Sequence, residues 1–579
     1  MYLLIYGDDE GTDLTMVNEK IVDGSSRSND RLFRNEGNGK FQEVTLEAGI
    51  LIEGYGLGLA INDFNNDMYP DIYVSNDFLF DDILYINNQD GTFSDQSRQY
   101  LKHTSVFGMG VDVQDFNNDI LPDIVQVDML PKDNYRQKKV LGPMAFDFFN
   151  KAIKEGYSKQ YMRNSLQLNQ AETGFSEIGQ FAGVDDTDWS WGPLFADYNS
   201  DGFKDLIISN GYRKNIADFD FRNYINEQTE QAKREGKDPD EISLELVKKT
   251  SDQKLANYGF INNGNLNFEN RTEEWGIGMP TWSNGLVYSD LDKDGDLDVA
   301  ISNIDDVAHL YENQLNDTDN SPNYLKVKLK GTPLNPDGIG SKIQINRGGD
   351  KQIHFQSTSR GYLSSVSPVV HFGLGSKSTP IEVEVIWTNG MKEKKIAQVN
   401  EEIIFDIEDA SIEETFSKIE LTSNNQAENF RLDHMVEEND FVDFYYEPLL
   451  PHRLSQQGPA LAVGDINNDG LDDLFVGGAS EKDNHIFIQT QEGLFNKSIF
   501  QTGKKNEDTD AKFFDADNDG DLDLYICSGS NEFQDSDVAY ADRLFINNGQ
   551  GEFELSEDKI PSIYSSSSSV STADYDNDG

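Results

Sequence analysis

Cysteine is all but missing from this sequence. Cys527 is the sole example, so no internal disulfide can form and no zinc or iron–sulfur site can be built from several thiolates. Its setting, DLYICS, reads as a buried strand rather than a reactive thiol. Positive charge is also scarce: 48 Lys and Arg stand against 104 Asp and Glu, for a net charge of −56. Nucleic acids are bound through clustered positive charge, so they are excluded as partners, and cations become the natural counterpart. No apolar run approaches the roughly 18 residues of a membrane-spanning helix. The opening MYLLIYGDDEG lacks the basic leader and apolar core of a signal peptide. The seven histidines form no HExxH pattern, and there is neither a GxSxG elbow nor a P-loop. None of this describes a disordered acidic chain, because 37% hydrophobic residues over 579 positions suffice for several packed cores.

What is abundant is aspartate, and it is placed by rule. SDLDKDGDLD sets Asp290, Asp292, Asp294, Asp296 and Asp298 at alternate positions. Like charges about 4 Å apart cost on the order of 4 kcal/mol at an effective dielectric near 20, so the run either holds a cation or is merely solvated. Recurrence decides between the two. DFNNDMYPD supplies Asp63, Asn65, Asp67, Tyr69 and Asp71, and DFNNDILPD supplies Asp115, Asn117, Asp119, Leu121 and Asp123. DYNSDGFKD supplies Asp197, Asn199, Asp201, Phe203 and Asp205. Later come DINNDGLDD, with Asp465, Asn467, Asp469, Leu471 and Asp473, and DADNDGDLD, with Asp515, Asp517, Asp519, Asp521 and Asp523. DYDNDG closes the chain with Asp574, Asp576 and Asp578.

Asp or Asn stands at loop positions 1, 3 and 5, Asp at position 9 of each complete loop, and position 7 varies freely. A Ca²⁺ site needs that grammar: six to eight oxygens, with position 7 offering its backbone carbonyl whatever its side chain. An EF-hand is excluded, since position 12 is Val74, Gln126, Ile208, Ile301, Val476 or Ile526 in place of Glu.

Each complete loop runs into a strand-like segment such as DIYVSN or DLIISN, and most follow another, such as GLGLAIND. Between loops lies a second unit, for example ILYINNQDGTFSDQS or RLFINNGQGEFELSE, whose alternating apolar residues and Asn/Gly turn predict a β-hairpin. Loop hairpin plus turn hairpin makes four antiparallel strands, the composition of a propeller blade. Residues 131–163 and 212–256 have helical composition and are expected to decorate one face, as edge cover or in ligand choice.

With these residues in view, the repeat resembles the FG-GAP/VCBS type, the calcium-loop blade of integrin-α-like propellers. YLKVKLKGTPLNPDGIGSKIQI, GYLSSVSPVVHFGLGS and VEVIWTNG resemble the ASPIC/UnbV domain found beside such repeats in cartilage acidic protein and many bacterial surface proteins. From Phe441, FVDFYYEPLLPHRLSQQGPALAVGDINNDG is similar to the opening of a second propeller in large Bacteroidetes proteins. The expected fold is therefore all-β: two truncated calcium-loop β-propellers flanking a small β-sandwich or barrel, with helical insertions. The expected domains are 1–322, a first propeller; 323–408, the ASPIC/UnbV-like domain; 409–440, a linker; and 441–579, the start of a second propeller. Met68 and Ile120 depart from the pattern at position 6, where Gly normally takes a left-handed turn, and a bulky residue there costs roughly 1–2 kcal/mol. Those two loops are expected to bind more weakly. MYLLIY matches the strand after a loop and Gly579 stops at position 6 of another, which reads as an internal piece of a longer protein.

The sites recur, whereas an active site normally occurs once, so the expected role of calcium is structural. Loops of this kind bind at about 10⁻⁴–10⁻³ M, which points to an extracellular or bacterial outer-surface location. The expected function is a non-catalytic binding or adhesion module for a glycan or protein ligand. A lyase-like carbohydrate-active enzyme and an architectural spacer are the alternatives. His371 and His452 are expected to pack or hydrogen-bond. Trp189, Trp191, Trp275 and Trp282 are expected in the core, with a sugar-stacking platform as the other reading.

Overall fold

The computed structural model describes residues 1–7, 17–140, 146–317, 321–376, 380–411, 434–447, 450, 452–502, 504–556, 558–561 and 563–573. It divides into two compact units, Met1–Ser423 and Asn424–Gly579. Of the linker expected over 409–440, residues 412–433 fall outside the described ones.

Five antiparallel sheets follow one another in the first unit. The first pairs Tyr2–Leu3, Arg31–Gly37 and Lys40–Glu43. Three four-stranded sheets come next. They are Gly56–Asn62, Asp71–Asn76, Ile83–Asn87 and Phe93–Asp95; then Val111–Gln114, Asp123–Gln126, Ser165–Asn169 and Phe175–Glu177; then Ser190–Ala196, Asp205–Asn210, Tyr258–Asn262 and Phe268–Asn270. The fifth has only three strands, Ser283–Ser289, Asp298–Asn303 and His309–Tyr311, because the chain then leaves for the next domain. Four strands per repeat therefore holds for the middle three sheets and fails at the first and fifth. No sheet closes on itself among the described residues.

The first strands of consecutive sheets lie against one another, and glycine makes the approach possible. A Cβ on Gly58 would sit 2.5 Å from the Met109 carbonyl, and one on Gly110 2.2 Å from that of Trp191, whose oxygen accepts the Gly110 amide at 2.9 Å. Apolar cores fill the spaces between sheets; Phe116, Val125, Leu166, Phe195, Leu206 and Phe260, for instance, pack together between the third and fourth. The expected helices are present in the long connections, at Asn134–Val140, Phe146–Lys154, Phe219–Glu235 and Pro239–Lys249. Asp218 caps the third of these by accepting the Phe221 amide, and Gly236 ends it in a left-handed turn.

From Asn323 the chain forms two further sheets. Asn323–Lys330 lies between Val370–Gly375 and, in parallel, Glu401–Asp406; the other sheet joins Asp350–Phe355, Lys342–Arg347, Ile381–Ile386 and Lys392–Ala397. Alternate residues of both face one core around Trp387, Phe372 and Phe405, so the domain is a small sandwich. A short hairpin, Ser359–Arg360 with Ser364–Ser365, leaves the sandwich and lies along the first strands of the earlier sheets. There the Arg360 guanidinium grips Asp112 at 2.5 and 2.6 Å, the Phe195 carbonyl at 2.8 Å and the Tyr288 hydroxyl at 2.9 Å.

The second unit repeats the pattern in two four-stranded sheets. They run Leu461–Gly464, Asp473–Val476, Asn484–Gln489 and Phe495–Gln501, then Glu507–Phe514, Asp523–Gly529, Arg543–Asn547 and Phe553–Ser556.

Candidate metal centre

Each of the six complete Asp loops joins the first strand of a sheet to the second and is shaped by its own carboxylates. In five of them the position-1 Asp (63, 115, 197, 465, 515) accepts the amides of positions 5 and 6, one on each oxygen, at 2.8–3.2 Å. In all six the position-5 Asp (67, 119, 201, 294, 469, 519) accepts the amide of position 7, namely Tyr69, Leu121, Phe203, Asp296, Leu471 or Asp521, at 2.8–3.1 Å. Asn65, Asn117 and Asn199, at position 3, each donate to the position-5 carboxylate beside them. Position 4 is left-handed throughout, with φ from 54° at Ser200 to 70° at Lys293. Position 6 is left-handed as well, even where it is Met68 (φ 70°) or Ile120 (φ 76°), so the strain expected from the sequence is present.

The position-9 Asp (71, 123, 205, 298, 473, 523) is a clamp. One oxygen accepts the amide of position 2, and the other accepts the amide of the third strand's last residue or, for Asp298, of Asn313 two residues beyond it, at 2.8–3.2 Å in every loop. A second lone pair on each oxygen stays available to a cation. Burial raises the carboxyls of Asp71, to about 8, Asp115, to about 6, and Asp197, to about 7. Acidic groups held out of water this way favour an opposite charge among them. Asp574, Asp576 and Asp578 lie outside the described residues.

Sequence reasoning missed the residue that ties loop to loop. The third strand ends on, or runs into, an asparagine whose amide is used twice. Asn169 Nδ2 donates to the Pro122 carbonyl of its own loop and to the Phe64 carbonyl of the preceding one, both at 3.1 Å. Asn262 spans Lys204 and Phe116 (3.0 and 2.8 Å), Asn313 spans Leu297 and Tyr198 (3.4 and 2.9 Å), and Asn547 spans Leu522 and Ile466 (3.0 and 2.8 Å). The signal was present in the recurring hairpin asparagines, which the sequence reading assigned wholly to turn formation.

The β-sandwich lies against this loop end of the first unit. Lys342 donates to the Asn66 side chain, close to Asp63 and Asp115, and burial lowers its pKa. Lys326 donates to Asp290 Oδ2 at 2.6 Å. Lys204, position 8 of the third loop, is buried between Asp197 and Asp115 and stands 5.5 Å from the ring centre of Phe372. Loop 290–298 is the most open to an ion. Asp290, Asp292 and Asp294 each bring a carboxylate oxygen within 4.8 Å of the others, while Asp290 Oδ1, Asp296 Oδ1 and Asn316 Oδ1 are buried without a partner. Asp515, Asp517 and Asp523 converge similarly. An all-oxygen donor set with orphaned acceptors fits a hard divalent cation.

The other singled-out residues separate. Trp189 stacks on Tyr212, ring centres 4.1 Å apart, and Trp191 meets Tyr212 and Tyr362. Trp282 is buried beside Lys254 and Arg213, whereas Trp275 packs against Tyr198 between the fourth and fifth sheets. The four do not make one strip. His371 is buried, its Nε2 donating to the Gly295 carbonyl at 2.9 Å; burial lowers its pKa to about 4, so the ring is neutral. His452 Nε2 lies 3.5 Å from Gln457 Nε2. Cys527 is buried, and burial pushes its thiol up to about 12.

Sheets joined by acidic loops and stapled in series define a repeat protein. A family model of the FG-GAP-like repeat matches residues 63–125 and 465–526, and one described as ASPIC and UnbV matches residues 331–411. The chain is thus an FG-GAP repeat protein with an ASPIC/UnbV domain. No curated protein matches it. Among solved structures, that of the V. cholerae biofilm matrix protein Bap1 is similar with 10% identity over 93% of this chain and 85% of the other, at a TM-score of 0.22, too low to indicate a shared fold. Among the described residues no helix is long and apolar enough to cross a membrane.

Proposed function

We propose that the protein is a calcium-stabilised, non-catalytic binding or adhesion module of the cell surface, presenting a glycan or protein ligand with a rigid rim. Its sheets act as propeller blades, side by side at their first strands. One observation carries the calcium reading: six loops far apart in the chain share one carboxylate clamp, and one of them keeps two buried oxygens without partners beside a third on Asn316. Calcium neutralises the loop end, and the staples transmit that rigidity to the next sheet. The FG-GAP class of repeat supports the surface location.

Thermal unfolding of the full chain, followed by tryptophan emission in millimolar Ca²⁺ and again in excess EGTA, tests this. All five tryptophans lie within Met1–Ser423, so the signal reports that unit. A ligand of the native state adds about 2.7 kcal/mol at 100 times its Kd, so the midpoint should rise with calcium. Coincident curves would remove the calcium reading and the surface assignment with it.

A further inference from the structure

Loop 290–298 differs from its siblings at its first residue. Elsewhere the position-1 carboxylate is turned by the loop's own amides; Asp290 takes neither of them. Its Oδ2 is held instead by Lys326 of the ASPIC/UnbV domain, in a pair whose side chains are only 7% and 16% exposed, and its Oδ1 has no partner. Asp296, 1% exposed, repeats the arrangement: Oδ2 accepts the Asn316 amide at 3.0 Å and Oδ1 is unpartnered. Asn316 donates its Nδ2 to the Asp294 carbonyl at 3.3 Å, leaving its own Oδ1 buried and unpartnered. His371 fixes the Gly295 carbonyl, and the Tyr324 ring lies so close to Gly295 that a Cβ there would meet it at 1.9 Å. The first carboxylate of this loop is therefore placed by a different domain, while Asp292, Asp294 and Asp298 still accept amides of the loop itself.

We propose that this is a cation site shared between two domains. Asp290, Asp292, Asp294, Asp296 and Asn316 supply oxygens to a divalent, oxygen-seeking ion, and Lys326 is a positioning residue that turns Asp290 toward it. Four carboxylates against one ammonium leave net negative charge for the ion to meet. Groups that orient metal ligands from behind are worth 10–100-fold in affinity. The inference rests on the calcium reading above and adds that this one site depends on the docked ASPIC/UnbV domain.

Isothermal titration of the chelator-stripped full chain with Ca²⁺ tests it. Asp292→Ala combined with Asp294→Ala, which removes two of the three converging carboxylates, should remove one ion from the stoichiometry. Lys326→Met should weaken that ion's binding about tenfold or more, Lys326→Arg should restore it, and Asn316→Ala should weaken it independently should Lys326→Met fail to fold. Tighter binding by Lys326→Met would make the lysine a competitor of the ion and overturn the proposal. So would a stoichiometry equal to that of the parent chain in the Asp292→Ala and Asp294→Ala double variant, or unchanged affinity in both Lys326→Met and Asn316→Ala. A parent chain that takes up no calcium would sink the calcium reading itself, an outcome distinct from these.

Discussion

Replacing Arg360 by Met should destabilise the first unit by about 3–5 kcal/mol, the usual cost of stripping one partner from a buried ion pair. Arg360 and Asp112 have side chains 3% and 1% exposed, and the guanidinium makes four hydrogen bonds of 2.5–2.9 Å to groups on the third, fourth and fifth sheets. Without it Asp112 would keep a single donor, the Phe195 amide at 2.7 Å, for a carboxylate that water cannot reach. The Phe195 carbonyl and the Tyr288 hydroxyl would each lose that donor too. Urea unfolding read by tryptophan emission measures the loss. Trp387 sits in the sandwich core and the other four tryptophans among the sheets, so a hairpin that fastens the two together predicts one shared transition in the parent chain. Adding Asp112→Asn to Arg360→Met should recover much of the loss, because no unpaired charge then remains buried. A single variant within about 1 kcal/mol of the parent, or a double variant no better than Arg360→Met, would refute the reasoning.

Asn262→Ala should cost about 1–3 kcal/mol, since it orphans the Phe116 and Lys204 carbonyls together; Asn87→Ala, whose Nδ2 among the described residues donates to Pro70 alone, should cost less under the same urea assay. Equal losses would argue against the staple between sheets. In the second unit burial raises Glu507 to about 8, with the nearby Glu438 and Glu532 adding to the rise. Between its unfolded value near 4.5 and that figure the folded state binds the extra proton. Stability therefore falls as pH rises, by at most about 1.4 kcal/mol per pH unit, and the loss is complete above pH 8. Glu507→Gln should flatten the slope and slow hydrogen exchange in Glu507–Phe514 and Asp523–Gly529 at pH 8, with little change at pH 4.5; parallel pH profiles for parent and variant would contradict this.

The loops and their flanking strands were legible in the sequence because their grammar is local. In five of the six complete loops, Asp at positions 1, 5 and 9 shapes nine consecutive residues through amides of the same loop, and the chain at the end of the third strand adds one partner. The left-handed strain at Met68 and Ile120 could be read for the same reason. Contacts between distant segments left no such trace. Arg360 and Asp112 are 248 residues apart, and nothing in the stretch around either marks it as half of a pair. Lys326 likewise alternates with Leu325 and Val327 as an ordinary outward residue of a strand, and only docking shows that it points at Asp290. Trp189, Trp191, Trp275 and Trp282 are near in sequence, yet the strands between them carry Trp275 to another core.

The Asp loops connect first strands to second, whereas the helical excursions at 131–163 and 212–256 connect second strands to third, so the two kinds of connection leave opposite ends of each sheet. The asparagine staples bind only the loop end. A sheet can therefore lengthen its far connection by dozens of residues while the spacing of its neighbours stays set by amides that the added chain never touches. That makes the far end a place for grafting: foreign segments inserted between Gln126 and Ser165, or between Asn210 and Tyr258, would be displayed without disturbing the register of the array.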